Sequence, residues 1–273
     1  MKRPSAWLAL VAACALGTAA CGDDTTADSA QSSDAADVSD ASTVSDGDFC
    51  AAALAFEAAP EPEIDFESAD PEEISEGISA FATETLVPLA EDLAATAPDE
   101  VSEAADAVVA TVEEVAVTGD FAPFEDPGFN DLADQGQEFA REECGWTTHT
   151  VRAVDYGFEG LPEELAAGVV TFELVNEGHE MHEMALFRKN DGVTASAEEL
   201  LALPEAEVEE QVTFVTQVLA EPGDTEVTTA ELAAGDYVAV CFVPVGLTSE
   251  ETEPAEDAPP HFSQGMVSEF TVS

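Results

Sequence analysis

The sequence predicts an α+β protein of two domains, a small helical bundle followed by a β-sandwich with a helical excursion. Apolar residues recur at helical spacings between Phe49 and Gly145 and at a spacing of two after Trp146, so the period of burial changes once along the chain. Hydrophobic residues make up 45% of the 273, and Phe alone occurs 15 times, enough to build cores despite an extreme charge. That charge is −54, from 60 Asp+Glu against 6 Lys+Arg. It excludes nucleic acid as a ligand, because nucleic acid is held by neutralising its phosphates. An almost wholly anionic surface repels itself in dilute solution and is screened by concentrated salt, so the composition suits a saline habitat.

The chain opens with Lys2 and Arg3, followed by an apolar stretch from Ala6 to Ala20 that is too short for a permanent membrane span and suited to a signal peptide. Thr18-Ala19-Ala20-Cys21-Gly22-Asp23-Asp24 resembles a bacterial lipoprotein box, with small residues before a cysteine and polar ones after it. Cys21 is then the lipidated residue, since cleavage at Cys14 would leave a very short apolar core and an apolar mature N-terminus. Residues 1–20 are expected to be a lipoprotein signal peptide. The mature chain is expected to be exported and held at the outer face of the cytoplasmic membrane through its lipid anchor only. Ordinary cleavage, leaving Cys21 unmodified, is the alternative. Residues 21–48 are rich in Asp, Ser, Thr and Ala and contain no aromatic residue, Lys or Arg, so they have little to bury and form an acidic disordered tether.

Residues 49–145 form the expected helical domain. Asp70-Pro71-Glu72-Glu73 has the grammar of a helix start, with a capping aspartate, proline in the first turn and carboxylates near the positive end of the helix dipole. Ile74, Ile78, Phe81, Leu89 and Leu93 continue it, with a kink or stop expected at Pro88. Further stripes run through Val101, Ala105, Val108, Val112 and Val115, and through Phe129, Leu132, Gly136 and Phe139. Cys50 and Cys144 bracket the region, and in an exported protein such a pair most naturally forms a disulfide. With Cys21 lipidated, Cys241 is then the single unpaired cysteine of the mature chain.

Residues 146–273 form the expected sandwich. Gly168 to Asn176, Met181 to Arg188, Glu226 to Leu232, Asp236 to Val243 and Met266 to Val272 are β-type runs separated by Gly, Pro, Asn or acidic turns. Ala195 to Ala220 instead places Leu200, Leu201, Val208, Val212, Val215 and Val218 at helical spacings and is expected to be a helical excursion between strands.

Three segments of this half occur in a telling order: Asn176-Glu177-Gly178 with His182-Glu183 after it, Gly235-Asp236-Tyr237 leading to Cys241, and His261 followed by Met266. In these elements the region resembles the cupredoxins, Greek-key β-sandwiches that hold mononuclear copper. The resemblance implies one copper ion with His182, Cys241, His261 and Met266 as ligands. It also implies electron transfer or copper carriage, with a redox or copper-exchange protein as partner. Two imidazoles, a thiolate and a weak thioether are the donor set of a blue-copper centre. Strand alternation puts His182, Met184 and Leu186 on one face and Tyr237, Ala239 and Cys241 on one face, so the ligands can point inward. His179 is read as a solvated turn residue and His149 as an ordinary strand residue. The chain departs from the family in the 242–260 segment, where Glu250, Glu251, Glu253, Glu256 and Asp257 and four prolines describe a flexible anionic flap instead of a tight ligand loop. Lengthening a loop costs only slowly growing entropy, so His261 is still able to return.

A metal-free alternative stays open: a sandwich in which Cys241 is a small buried hydrophobe and Met266 a core residue, serving as a binding or scaffolding lipoprotein against another envelope protein. Catalysis is not expected. The 4 histidines are too few for a multicopper oxidase, His179 and His182 have the wrong spacing for a zinc-protease helix, and neither Gly-x-Ser-x-Gly nor an EF-hand loop occurs. Replacing Cys21 with Ser is expected to release the protein from the membrane fraction. Retention at the wild-type level contradicts the lipid anchor.

Overall fold

A computed structural model describes residues 46–60, 62, 64, 66, 69–248, 254–255 and 257–273. Cys21, the 1–20 leader and the tether as far as residue 45 lie outside the described residues, as do Glu250, Glu251, Glu253 and Glu256.

The first half is helical: α1 (Asp46–Glu57), α2 (Pro71–Phe81), α3 (Val87–Thr96), α4 (Ser102–Thr118) and α5 (Pro127–Glu143). Residues 46–48 of the expected tether therefore belong to α1. The Asp70 carboxylate accepts the Glu72 and Glu73 amides at 3.0 Å, and the Glu73 carboxylate accepts the Asp70 amide at 3.3 Å. This reciprocal cap starts α2 where the sequence placed a start. The break expected at Pro88 takes the form of a π-type turn, Ala82–Leu86, in which the Val87 amide bonds the Ala82 carbonyl. Proline lacks an N–H and its ring collides with the carbonyl four residues earlier in a regular helix; the wider turn absorbs both effects, and α3 continues directly. Ile78, Leu86, Leu93, Val108, Val112 and Val115 are buried together between these helices. A disulfide joins Cys50 on α1 to Cys144 at the end of α5, with Cα atoms 5.5 Å apart and a sequence separation of 94. Closing so long a loop restricts the unfolded chain and contributes about 2–4 kcal/mol.

The second half is built from β1 (Thr147–Val154), β2 (Gly157–Glu159), β3 (Glu164–Leu165), β4 (Gly168–Asn176), β5 (His182–Lys189), β6 (Val212–Ala220), β7 (Thr225–Leu232), β8 (Gly235–Val240) and β9 (Val267–Val272). Among the described residues they form two sheets, ordered β2-β1-β4-β7 and β3-β9-β8-β5-β6. The chain crosses between the sheets after β2, β3, β4, β6 and β7, so strands distant in sequence become neighbours. Val151, Phe172 and Leu174 of the first sheet pack with Met184, Leu186 and Tyr237 of the second.

The excursion is shorter than its spacing predicts. Two brief helices, α6 (Ala197–Leu201) and α7 (Glu205–Glu209), are followed by β6, so Val212, Val215 and Val218 lie on a strand. Three-residue spacing is compatible with a helix, but Val212-Thr213-Phe214-Val215-Thr216 is dense in β-branched residues. It pairs with β5 from Lys189↔Val212 to His182↔Ala220, satisfying backbone groups along that edge. Ala197 and Leu200 of α6 pack against Val238 and Val240 of β8, which covers the outer face of the second sheet. Both faces of β8 are thus buried from Tyr237 to Cys241.

Candidate metal centre

His182 is the first residue of β5, and Cys241 follows the last residue of β8. The two strands are antiparallel neighbours, with Ala185 opposite Val240, so their adjoining ends lie side by side. His261 is brought to them by backbone pairing inside the long 242–260 connection. The Val245 amide bonds the Pro259 carbonyl, the His261 amide the Val243 carbonyl and the Phe262 amide the Cys241 carbonyl, each at 2.9 Å. The base of the expected flap is therefore a zipped hairpin, and it returns His261 beside Cys241 instead of letting it swing. A short 3₁₀ turn, His261–Gln264, then ends at Gly265, whose φ of 115° sends the chain into β9 through Met266.

One nitrogen from each imidazole and the Cys241 sulfur lie within 4.8 Å of one another. His182 Nδ1 is 3.1 Å from His261 Nδ1, which is 3.4 Å from Cys241 Sγ. All three side chains are fully buried, at 0% exposure. The Glu183 amide donates to Cys241 Sγ at 3.3 Å, and the Val243 amide also favours the thiolate. Burial nevertheless pushes the thiol up to about 12. Met266, fully buried in the same core, is tied to both neighbours: its amide donates to the His261 carbonyl, and its carbonyl accepts the Cys241 amide, both at 3.2 Å.

The outward nitrogens meet carboxylates. His182 Nε2 is 3.1 Å from Asp155 Oδ1, and His261 Nε2 is 2.8 Å from Glu180 Oε2. Burial raises the proton affinity of Asp155, but hydrogen bonds from His179 and His182 outweigh it and bring the carboxyl down to about 2. Burial acts likewise on Glu180 and is outweighed by the Gly246 amide, His261 and Tyr156, so its pKa is lowered as well. Burial lowers both imidazoles, with the carboxylates opposing, so both rings are neutral at neutral pH.

These protonation states determine what the pocket offers. An ionised carboxylate only accepts, so each Nε2 carries the hydrogen and each Nδ1 presents a lone pair. Two lone pairs thus face each other at 3.1 Å in a buried pocket, with one thiol hydrogen to share between them. A cation that displaces that hydrogen satisfies all three donors at once. Imidazole nitrogen and thiolate sulfur suit copper or zinc, whereas calcium and magnesium prefer oxygen.

The structure thus brings His182, Cys241 and His261 together, with Met266 adjacent through its backbone. His179 is 92% exposed at the surface, yet its Nδ1 is 2.8 Å from Asp155 Oδ2 and its amide donates to Asp155 at 3.0 Å. His149 lies on β1 against Phe172. Asp155 and Glu180 are site residues that the sequence does not reveal. Glu180 stands between two histidines in His179-Glu180-Met181-His182, but among 60 acidic residues nothing marks it or Asp155 out. The Asn176-Glu177-Gly178 motif does have a readable role. Buried Asn176 donates to the Glu180 and Ala220 carbonyls and accepts from the Gly178 amide, all at 2.9 Å, fixing the turn ahead of His182. A Cβ on Gly178 would collide with His182 Nε2 and Asp155 Oδ1.

No protein-family description and no curated protein matches this chain. Similar solved structures include dithionite-reduced auracyanin from the photosynthetic bacterium Roseiflexus castenholzii, at 18% identity over 46% of this chain and 97% of that one, with a TM-score of 0.31. Auracyanin A, a "blue" copper protein of Chloroflexus aurantiacus, matches at 23% identity over 47% and 100% of the two chains, with a TM-score of 0.29. The McoA multicopper oxidase of Aquifex aeolicus matches at 15% identity over 47% and 30%, with a TM-score of 0.27. At such identities and TM-scores the likeness carries no functional weight, and the chemistry rests on the side chains.

A pH dependence follows. Cys241 is a thiol up to about 12, whereas both imidazoles are already neutral above their lowered values. Thiolate ligation between about pH 7 and 9 therefore releases about one proton, and apparent affinity rises about tenfold per pH unit. Calorimetry of Cu(II) binding in buffers of different ionisation enthalpy measures that release. Binding without it contradicts thiolate ligation.

Proposed function

We propose that the chain is an exported, lipid-anchored copper-binding protein that transfers single electrons, or carries copper, through a mononuclear site of His182, Cys241, His261 and Met266. The observation that carries this reading is the convergence of two Nδ1 lone pairs on the buried Cys241 sulfur, both imidazoles being held by carboxylates behind them. Copper, when bound, supplies a Cu(II)/Cu(I) couple exchanging one electron. His182, Cys241 and His261 form the strong donor set, and Met266 provides the weak thioether. The Glu183 and Val243 amides stabilise the thiolate, and complete burial of the three donors excludes water and substrate. That closure favours electron transfer or carriage over catalysis; His149 stands apart from the site, and His179 touches it through Asp155.

In this reading residues 1–20 are the signal peptide, 21–45 the tether from lipidated Cys21, 46–145 a helical domain that begins with α1, and 146–273 a cupredoxin-like domain. The partner is a redox or copper-exchange protein met outside the cytoplasmic membrane. The membrane is engaged through the lipid anchor only, and nucleic acid is not a partner.

Visible absorption tests the site. Adding one equivalent of Cu(II) to the purified soluble chain is expected to give an intense band that aqueous copper lacks. Cys241→Ser is expected to abolish the band while leaving the far-ultraviolet circular dichroism unchanged. A wild-type protein that stays colourless contradicts the proposal.

A further inference from the structure

The carboxylates behind the two imidazoles are set more firmly than hydrogen-bond acceptors in an anionic surface need to be. Each oxygen of Glu180 has its own partner. Oε2 accepts the Gly246 amide at 2.6 Å as well as the His261 Nε2 hydrogen at 2.8 Å, and Oε1 accepts the Tyr156 hydroxyl at 3.1 Å. The Tyr156 ring also packs on His261, with centroids 4.9 Å apart. Glu180 therefore joins the loop before β5, the β1–β2 turn and the β8–β9 connection at the imidazole it holds. Asp155 is fixed from the other side by the His179 amide and ring as well as by His182. The Glu180 and Asp155 side chains are 17% and 30% exposed, so solvent only partly screens their charges from the buried rings.

Resting on the copper reading, we propose that Asp155 and Glu180 are paired positioning residues. They hold His182 and His261 as Nε2–H donors and, by their two negative charges, bias the site toward Cu(II), lowering its reduction potential. Reduction adds one electron, taken from a one-electron donor, and lowers the charge of the metal by one. The ligands, their protons and the two carboxylates are unchanged on either side of the step. Two fixed anions therefore stabilise the more positive state more strongly. The hydrogen bonds add to this, because an N–H pulled toward a carboxylate makes the opposite nitrogen a better donor to the harder cation. One carboxylate serves each imidazole, so the effect acts on both nitrogen ligands.

The test is a spectroelectrochemical titration of the copper-loaded wild type, Glu180→Gln, Asp155→Asn and Glu177→Gln. The first two variants keep a carbonyl oxygen to accept the imidazole hydrogen and lose only the charge. Glu177→Gln removes a half-exposed charge from the same loop, one whose ion pair is with Arg152 and not with a ligand. Glu180→Gln and Asp155→Asn are each expected to shift the Cu(II)/Cu(I) binding ratio about tenfold toward Cu(I), a rise of about 59 mV for one electron. Their visible band should be kept and the control left near the wild type. Competition titrations against a chromophoric Cu(I) chelator and against a Cu(II) chelator read the same effect in a variant that loads poorly. Cu(II) affinity is expected to fall about tenfold or more while Cu(I) affinity holds. Unchanged potentials with the colour intact, equal losses of both oxidation states, or an equal rise in Glu177→Gln overturn the proposal and leave the copper site standing. A wild type that binds no copper overturns both.

Discussion

The structure around the site depends on one constraint: two buried imidazoles whose outer nitrogens must each find an acceptor. A buried N–H without a partner costs on the order of 1–3 kcal/mol, so the fold has to deliver an oxygen to each ring as well as the ring to the pocket. Asp155 comes from the turn after β1 and Glu180 from the loop after β4, while the rings stand at the start of β5 and near the end of the β8–β9 connection. Each carboxylate thereby ties a loop of one sheet to a ligand of the other. The pocket is polar inside an apolar core, and its polarity is satisfied outward by the carboxylates. Inward it is left as donor atoms.

The long β8–β9 connection shows how an extended ligand loop remains compatible with a defined site. Its length matters less than its base, where backbone pairs between residues 241–245 and 259–262 carry His261 back to Cys241. The Gly246 amide bonds Glu180, and the Met181 amide bonds the Leu247 carbonyl, so the near arm is also fastened to the loop that precedes His182. Ordering those few residues defines the ligand position, whatever the acidic stretch beyond them does. Among the described residues, the core and the disulfide of α1–α5 are separate from the three donors.

Much of this was legible because strands have a period of two. His182 and Cys241 sit in phase with Met184, Leu186, Tyr237 and Ala239, and all six side chains are at most 1% exposed. His261 was legible only through its motif, since no periodicity governs a hairpin base. Asp155 and Glu180 were illegible because a sequence with 60 acidic residues gives no local sign of which carboxylates fold inward. β6 was misassigned for the opposite reason. The spacing of Val212, Val215 and Val218 matches a helix, and only the pairing with β5, a long-range contact, selects the strand. Pro88 was seen correctly as an interruption, but a one-turn π adjustment leaves no trace in composition.

The central claim is that the chain's own donors, two imidazole nitrogens and the Cys241 sulfur, take one metal ion together. The most direct measurement is X-ray absorption fine structure at the copper edge on protein loaded with one equivalent of Cu(II). The account predicts an inner shell of two imidazole nitrogens and one short sulfur, with the sulfur contribution lost in Cys241→Ser. An inner shell of oxygen and nitrogen without sulfur in the wild type would contradict it, placing the copper on surface carboxylates and leaving the buried triad metal-free.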